Sequence, residues 1–182
     1  MHDPLAGLPA DLRARAYAIR LVIFDVDGVL TDGRVILGDG GYEYKAFHIH
    51  DGHGIRMLQS SGVRAGIITG RTSVVVSRRS EELGIRHLMQ GRSDKAAALG
   101  ELLEQLGEAP EATAFVGDDV VDLPAMRRVG LAVAVADATP LTRAHAHWVT
   151  RATGGHGAAR EVCELIMAAQ SSLEGAHAPY LE

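Results

Sequence analysis

Short apolar runs alternate with helix-like stretches along most of this chain, and this alternation restricts the possible folds more than any other feature. Continuous apolar runs of this kind are typical of parallel strands that are covered on both faces. Strands that alternate with helices need crossover connections, so the pattern predicts an α/β fold with a doubly wound, mostly parallel, Rossmann-like sheet. The predicted strands lie at 21–24, 64–68, 86–90, 113–116, 131–136 and 147–150, and the predicted helices at 51–60, 73–83, 93–106, 121–129 and 157–170.

Residues 35–47 break the alternation at the point where a helix is expected to follow the first strand. Two short strands there flank a glycine-rich turn at residues 38–41, which predicts a β-hairpin. We interpret this hairpin, with bounds of about 34–48, as a flap over one end of the sheet. The length predicts a single domain, residues 1–182, with a core at about 20–170 and a flexible C-terminal tail that is frayed over 174–182.

Composition and charge exclude several classes of protein. The net charge is −5, so the chain lacks the basic surface of a nucleic-acid-binding protein. No run of about 18 apolar residues is present, so no membrane span is predicted. The first 20 residues lack the apolar run of a secretory signal, so we expect a cytoplasmic protein. The single cysteine, Cys163, excludes an intramolecular disulfide and a multi-cysteine zinc site.

Polar residues stand at the carboxyl ends of several predicted strands. Ligands of open parallel sheets bind at this edge, so we expect these side chains to converge there. A lysine near the start of a predicted helix belongs to the same group. The residues are Asp25 and Asp27 after the first strand, Thr69-Gly70-Arg71 after the second, Lys95, and Gly117-Asp118-Asp119 with Asp122 after the fourth.

Several carboxylates that lie close together repel each other unless a cation binds among them, and hard oxygen ligands favour Mg²⁺. A lysine, a hydroxyl and free backbone N–H groups near such an ion can neutralise the charge of a transferring phosphoryl group. Asp25 can attack phosphorus as a nucleophile and form an aspartyl-phosphate. Asp27 can lie on the same side of an extended chain, where it can protonate the leaving oxygen and later deprotonate water.

These segments resemble the four motifs of the haloacid dehalogenase phosphatase superfamily. Because only the hairpin stands between the first two motifs, the chain is similar to the capless subclass, which has no cap domain. Within that subclass it resembles the family of 3-deoxy-D-manno-octulosonate 8-phosphate phosphatases. The segments that carry this closer resemblance are 45–47, 51–56, Gly91 with Lys95, 117–119, 135–138, 148–151, Gly154-Gly155 and 158–163.

The resemblance implies a role for each matching residue. Asp25 would be the nucleophile and Asp27 the acid/base, while Thr69 and Lys95 would hold the phosphate. Mg²⁺ would be bound by Asp25, by the backbone carbonyl of Asp27 and by Asp118, with Asp119 and Asp122 supporting the ligands. The residues that would meet the substrate are His48, His50, Asp51, Gly52, Arg56, Gly70, Arg71 and Arg79.

The resemblance also implies a substrate and an assembly. The substrate would be a sugar-acid phosphate of lipopolysaccharide biosynthesis, which carries a phosphate and a carboxylate that arginine forks suit. The protein would be a homotetramer with active sites between subunits, completed by hairpins and C-terminal segments of neighbours. A capless site left open on one side is consistent with that assembly.

Three alternatives remain open from the sequence. A nonulosonate 9-phosphate or broad sugar-phosphate phosphatase of the same subclass would use the same chemistry. A phospho-accepting receiver-type switch would share the acidic site, the hydroxyl and the lysine, but would retain its phosphate. His48, His50 and His53 permit a zinc site, although no third ligand has convincing spacing and a polar rim on the flap is the simpler interpretation.

Overall fold

A six-stranded parallel sheet forms the centre of the structure, a computed structural model that describes residues 3–181. The strand order is β5-β4-β1-β6-β7-β8, and every pairing is parallel, which confirms the predicted α/β fold. The strands of this sheet are β1 (Leu21–Phe24), β4 (Arg64–Ile68), β5 (His87–Met89), β6 (Thr113–Gly117), β7 (Leu131–Ala134) and β8 (Trp148–Val149).

Helices flank this sheet and, with several buried loop residues, complete the core. They are α1 (Ala10–Ala18), α2 (Ile49–Ser60), α3 (Val74–Glu82), α4 (Lys95–Leu106), α5 (Leu123–Met126), α6 (Pro140–Ala144), α7 (Ala158–Ala169) and α8 (Leu173–His177), with 3₁₀ turns at Pro110–Ala112 and Ala178–Tyr180. Helix α7 packs against both α1 and α2, and its apolar face is fully buried. None of the helices in the described part of the chain is long and apolar enough to cross a bilayer.

The register of the central strands brings their carboxyl ends to one edge. Phe24, the last residue of β1, pairs with Ile67 of β4 and with Val116 of β6. The next residue, Asp25, continues this pattern by donating its N–H to the carbonyl of Val116 at 3.0 Å. Because β1 is central and buried along its whole length, the residues that follow it enter the site at a fixed position.

The predicted hairpin is present as a separate two-stranded antiparallel sheet, formed by β2 (Ile36–Leu37) and β3 (Glu43–Tyr44). Its turn uses Gly40 and Gly41 at positive φ, a conformation that glycine adopts without steric cost. Apolar side chains of the hairpin, including Leu37 at 75% exposure, point into solvent. The hairpin therefore contributes little to the core.

The structure differs from the sequence predictions at several element ends. The helix predicted over 121–129 is shortened to α5, because Asp122 is drawn into the site and Pro124 can stand only in the first turn. The tail expected to be frayed instead forms α8 and a 3₁₀ turn, since Leu173 and Ala176 pack against the core. Glu182, the last residue of that predicted tail, lies outside the described residues.

Candidate active site

Asp25 occupies the centre of the site, directly after β1, and is 5% exposed. Its Oδ2 lies 2.8 Å from Nζ of Lys95, whereas its Oδ1 is buried without a hydrogen-bond partner. The pKa of Asp25 is raised to about 6, because burial and the Asp122 carboxylate raise it more than the Lys95 ammonium lowers it. One oxygen of this carboxylate is therefore available to a ligand.

Lys95 links two of the site's carboxylates. It is the first residue of α4, it is 3% exposed, and its Nζ lies 2.6 Å from Oδ1 of Asp122. Burial by itself lowers the pKa of Lys95, but the carboxylates of Asp25 and Asp122 outweigh that effect and leave the pKa raised. The side chain is thus a fixed cation inside the site.

Asp122 is completely buried, and both of its oxygens are already bonded. Oδ1 accepts from Lys95, while Oδ2 accepts the N–H groups of Asp118 at 3.0 Å and Asp119 at 3.3 Å. These bonds shape the loop after β6. They place Asp122 behind the loop, in contact with Lys95, Asp118 and Asp119, and its supporting role toward a metal stays a prediction.

Three carboxylates meet here around a single ammonium. Ligand oxygens of Asp25, Asp118 and Asp122 lie within 4.8 Å of one another, and within residues 3–181 this is the one set of three His, Cys, Asp or Glu side chains that converges in this way. The pKa of Asp118 is raised to about 7, first by burial and then by the neighbouring carboxylates Asp122 and Asp25. A hard divalent cation fits this excess of negative charge and the unpartnered oxygen of Asp25.

Two close approaches fix the backbone around these carboxylates. Gly28 has a φ of +95°, and a Cβ there would lie 2.2 Å from Oδ2 of Asp118. A Cβ on Gly154 would lie 1.8 Å from the carbonyl oxygen of Gly28. The loop before α7 therefore rests directly on the loop that carries Asp25 and Asp27.

Asp27 is held by residues of the hairpin segment and of the loop after β4. Its Oδ1 contacts Nζ of Lys45, and its Oδ2 lies 3.9 Å from Nε of Arg71. Glu43 of β3 contacts Arg71 and lies 3.2 Å from Nζ of Lys45. Hydrogen bonding from Arg71, together with Lys45, keeps the pKa of Glu43 lowered. The predicted flap thus reaches the site through charged side chains.

A pocket of about 320 Å³ opens over these groups. Thr69 is buried at its edge directly after β4, with its N–H donated to the carbonyl of Met89. The structure thus brings together eight of the residues predicted at the strand ends, with Asp122 buried behind them. The pocket is lined by Asp25, Asp27, Thr69, Gly70, Arg71, Arg92, Ser93, Lys95, Asp118, Asp119 and Val121.

Asp51, which was predicted to meet the substrate, has both carboxylate oxygens bonded within the chain, and its role toward substrate stays a prediction. Its carboxylate oxygens accept the N–H groups of Gly157 at 3.1 Å and Arg160 at 2.8 Å, at the start of α7. Burial raises the pKa of Asp51, although these N–H bonds oppose the rise. An acidic side chain at a helix N-terminus stabilises that helix, so Asp51 joins α2 to α7 rather than lining the pocket.

Two of the other predicted substrate residues, Gly70 and Arg71, line this pocket, whereas the rest lie outside it. His48 accepts the N–H of His50 at the start of α2, and His50 is exposed. Gly52 lies against the guanidinium of Arg79, where a Cβ would be 2.3 Å from Nη2. Arg79 itself stands over the ring of Phe47.

Arg56 lines a different pocket of about 520 Å³, between α2 and the C-terminal turns. The roles of His48, His50, Gly52, Arg56 and Arg79 toward substrate therefore stay predictions, since a single chain does not bring them to the carboxylates.

Three residues at the site were not among the site residues predicted from the sequence. Lys45 and Glu43 sit on a hairpin whose local pattern gives no sign of the strand end that they contact. Arg92 lines the pocket and forms a two-bond ion pair with Glu101, at 2.6 and 2.8 Å. Its position just after β5, at the same edge as the other site residues, is the signal that could have identified it.

Comparison with known proteins gives consistent relatives. The haloacid dehalogenase-like hydrolase family matches residues 84–162. The 3-deoxy-D-manno-octulosonate 8-phosphate phosphatase KdsC of Escherichia coli (strain K12) is 53% identical over 92% of this chain and 89% of its own length. The crystal structure of the Yersinia pestis 3-deoxy-D-manno-octulosonate 8-phosphate phosphatase superposes with a TM-score of 0.91 at 52% identity, covering 92% of this chain and 91% of that one.

A further relative was solved with ligands. The Moraxella catarrhalis 3-deoxy-D-manno-octulosonate 8-phosphate phosphatase, in complex with a magnesium ion, a phosphate ion and a KDO molecule, has a TM-score of 0.92 at 44% identity and covers 93% of this chain and 98% of that one. Identity and fold agree over nearly the whole length of these proteins. The chain belongs to the 3-deoxy-D-manno-octulosonate 8-phosphate phosphatase family, within the capless haloacid dehalogenase-like hydrolases.

Proposed function

We propose that this chain is a Mg²⁺-dependent phosphatase that hydrolyses 3-deoxy-D-manno-octulosonate 8-phosphate to the free sugar acid and phosphate. The observation that carries the proposal is the Asp25 carboxylate, with one oxygen on Lys95 and the other buried and unpartnered, in a chain about half identical to enzymes of that name. We place the activity in the cytoplasm and in lipopolysaccharide biosynthesis, within one domain spanning residues 1–182.

Catalysis proceeds in two displacements at phosphorus. The Asp25 carboxylate attacks the phosphorus atom, the bond to the sugar oxygen breaks, and Asp27 donates a proton to that leaving oxygen. Asp27, now ionised, takes a proton from a water molecule as the water oxygen attacks the aspartyl-phosphate. The bond between phosphorus and Asp25 then breaks, which restores the Asp25 carboxylate and releases inorganic phosphate.

The remaining residues hold charge in place during both steps. Asp25, Asp118 and the backbone carbonyl of Asp27 would hold Mg²⁺, which supplies neutralisation of phosphate charge when bound. Lys95 and Thr69 face the pocket where the phosphoryl oxygens would lie. Asp122 fixes Lys95 on one side and the loop of Asp118 on the other, so the charges need little rearrangement during reaction. The magnesium and phosphate ions in the Moraxella catarrhalis relative support this assignment.

We propose that the chain works as a homotetramer with active sites between subunits. The pocket is open, and His50 and Arg56 of the same chain lie outside it. The hairpin carries exposed apolar side chains next to the site, which an adjacent subunit could cover. In that arrangement a neighbour would supply the groups that grip the sugar acid.

Phosphate release with Mg²⁺ over a panel of esters tests the function. The panel holds 3-deoxy-D-manno-octulosonate 8-phosphate, a nonulosonate 9-phosphate, a hexose 6-phosphate and a nucleotide. We expect a strong preference for the octulosonate ester and a loss of about 10⁴-fold or more in Asp25→Asn, because the nucleophile is removed. Glu104→Gln, the same change at an exposed position of α4, should keep full activity.

Each other result points to an alternative. Preference for the nonulosonate ester, or equal rates over the panel, keeps the phosphatase and replaces its substrate. A single turnover that leaves a stable phosphoprotein contradicts the enzyme and supports the receiver-type switch.

A further inference from the structure

Lys45 is the most buried cation of the hairpin segment, in a region that is otherwise largely exposed. Its side chain is 1% exposed, although it follows β3 directly and Tyr44 beside it is exposed. A lysine is rarely buried to this degree unless its ammonium has carboxylate partners. The partners here are Asp27, which it contacts, and Glu43, whose Oε1 lies 3.2 Å away.

Four side chains close into a ring of alternating charge, which we call the ion-pair ring. Asp27 contacts Lys45, Lys45 lies beside Glu43, Glu43 contacts Arg71, and Nε of Arg71 lies 3.9 Å from the other oxygen of Asp27. Each oxygen of Asp27 thus faces a different cation. The ring joins the hairpin to the loop after β1 and to the loop after β4.

Ions arranged in this way restrict how Asp27 can turn. An Asp side chain three residues beyond a buried strand has rotamers that point it away from the pocket, and a paired ammonium favours the rotamer that makes the pair. Asp27 lines the pocket in the orientation that the ring holds. Lys45 does not line that pocket, so its effect on the reaction has to pass through Asp27.

We propose that Lys45 is a positioning residue that holds Asp27 in the orientation needed for proton transfer to the leaving oxygen and from water. The hairpin segment therefore orients the acid/base residue Asp27 and also covers one end of the sheet. This inference rests on the proposed phosphatase function. Lys45 itself exchanges no proton. Asp27 takes a proton from water at the end of one turnover and gives it to the ester oxygen in the next, and while Oδ2 carries that proton, Oδ1 still accepts from Lys45.

Leaving-group dependence separates positioning from a purely structural role. A sugar alkoxide needs a proton to leave, whereas p-nitrophenolate is a stable anion and does not. In Lys45→Met we expect kcat for the octulosonate ester to fall about 10²-fold, within the range of general acid–base catalysis, with KM changed less than about threefold. The first turnover of p-nitrophenyl phosphate should stay within about threefold of the unsubstituted protein, followed by slow steady release because water attack also needs Asp27.

Two further variants complete the test. Arg34→Gln removes an exposed cation of the same segment, 3.6 Å from Asp32, and should leave both substrates unaffected. Lys45→Arg keeps the charge and should recover most of the lost kcat. Circular dichroism checks that each variant is folded. If Lys45→Met does not fold, Glu43→Gln replaces it, and the expected pattern is the same with a smaller loss of about fivefold to tenfold, because Lys45 keeps Asp27 but loses its second partner.

The opposing results are distinct. Equal losses in the first turnover of both substrates, or no loss of kcat for the sugar ester, overturn the positioning role. An unsubstituted protein that releases phosphate from neither the sugar ester nor p-nitrophenyl phosphate contradicts the proposed function itself, and that result is independent of Lys45.

Discussion

The two halves of the site are held by different parts of the fold. Asp25, Lys95 and Asp122 lie at the carboxyl edge of the sheet, in a cluster almost inaccessible to water. Asp27 is held from the other side by Lys45 and Glu43, on a hairpin whose strands add nothing to the core. The nucleophile therefore depends on the stability of the whole domain, whereas the acid/base depends on a segment held mainly by ion pairs. Variants on the two sides should separate these dependences.

The largest effect on stability is expected from Lys95→Met. This change leaves the buried carboxylates of Asp25 and Asp122 without a counterion, and breaking a buried pair in this way typically costs about 3–5 kcal/mol. Lys45→Met should cost only about 1 kcal/mol, because Asp27 and Glu43 are partly exposed and can regain water as the hairpin opens. Urea unfolding at pH 7.5 measures both values. Equal losses would show that the hairpin is as integral to the fold as the sheet edge.

A smaller change in the free energy of unfolding is expected when pH is varied, or Mg²⁺ is added back, after a chelator has removed bound metal. The pKa values of Asp25 and Asp118, about 6 and about 7, lie above the unfolded value of about 3.9, so the folded state binds more protons between these limits. These groups therefore make the free energy of unfolding fall as the pH rises from 5 to 7.5. Mg²⁺ at pH 7.5 should restore about 2.7 kcal/mol at 100 times its Kd, and much less at pH 5.

Thermal unfolding with and without Mg²⁺ at the two pH values checks this expectation. Asp118→Asn, which removes one of the two raised carboxyl groups, should weaken both the pH dependence and the response to Mg²⁺. The assignment is contradicted if the free energy of unfolding of the chelated protein rises between pH 5 and pH 7.5, and rises equally in the unsubstituted protein and in Asp118→Asn.

The smallest effect on the fold is expected at the hairpin tip. Leu37→Ser and Tyr42→Ser change exposed side chains, so the folded chain should lose no more than about 0.5 kcal/mol. The same variants should shift sedimentation from a tetramer toward smaller species, because the proposed assembly covers these side chains. Leu141→Ser, at an exposed position of α6, is the matched control. A monomeric unsubstituted protein would remove the tetramer proposal.

The sequence predicted which residues lie at the sheet edge, but it did not predict which residues of the hairpin contact them. The apolar run Leu21–Phe24 is typical of a strand buried on both faces in a parallel sheet. Since Asp25 comes directly after this strand, the sequence predicts its place at the carboxyl edge of the sheet. The contact of Lys45 with Asp27 joins separate segments and leaves no periodic trace in either of them. The bonds from Asp51 to the backbone at the start of α7 likewise join separate segments, so the local sequence around Asp51 does not indicate them.

The pairing of β1 also has a consequence for how the protein is made. β1 is the first strand of the sheet to leave the ribosome, yet its neighbours β4 and β6 begin only at Arg64 and Thr113. Such non-local pairings close large loops and slow folding. Lys95 is synthesised before Asp118 and Asp122, so the ammonium is already in the chain when the last carboxylates emerge. Lys95 is therefore available as a counterion before the carboxylates of Asp118 and Asp122 are brought close to Asp25. The site forms only after β6 has paired with β1.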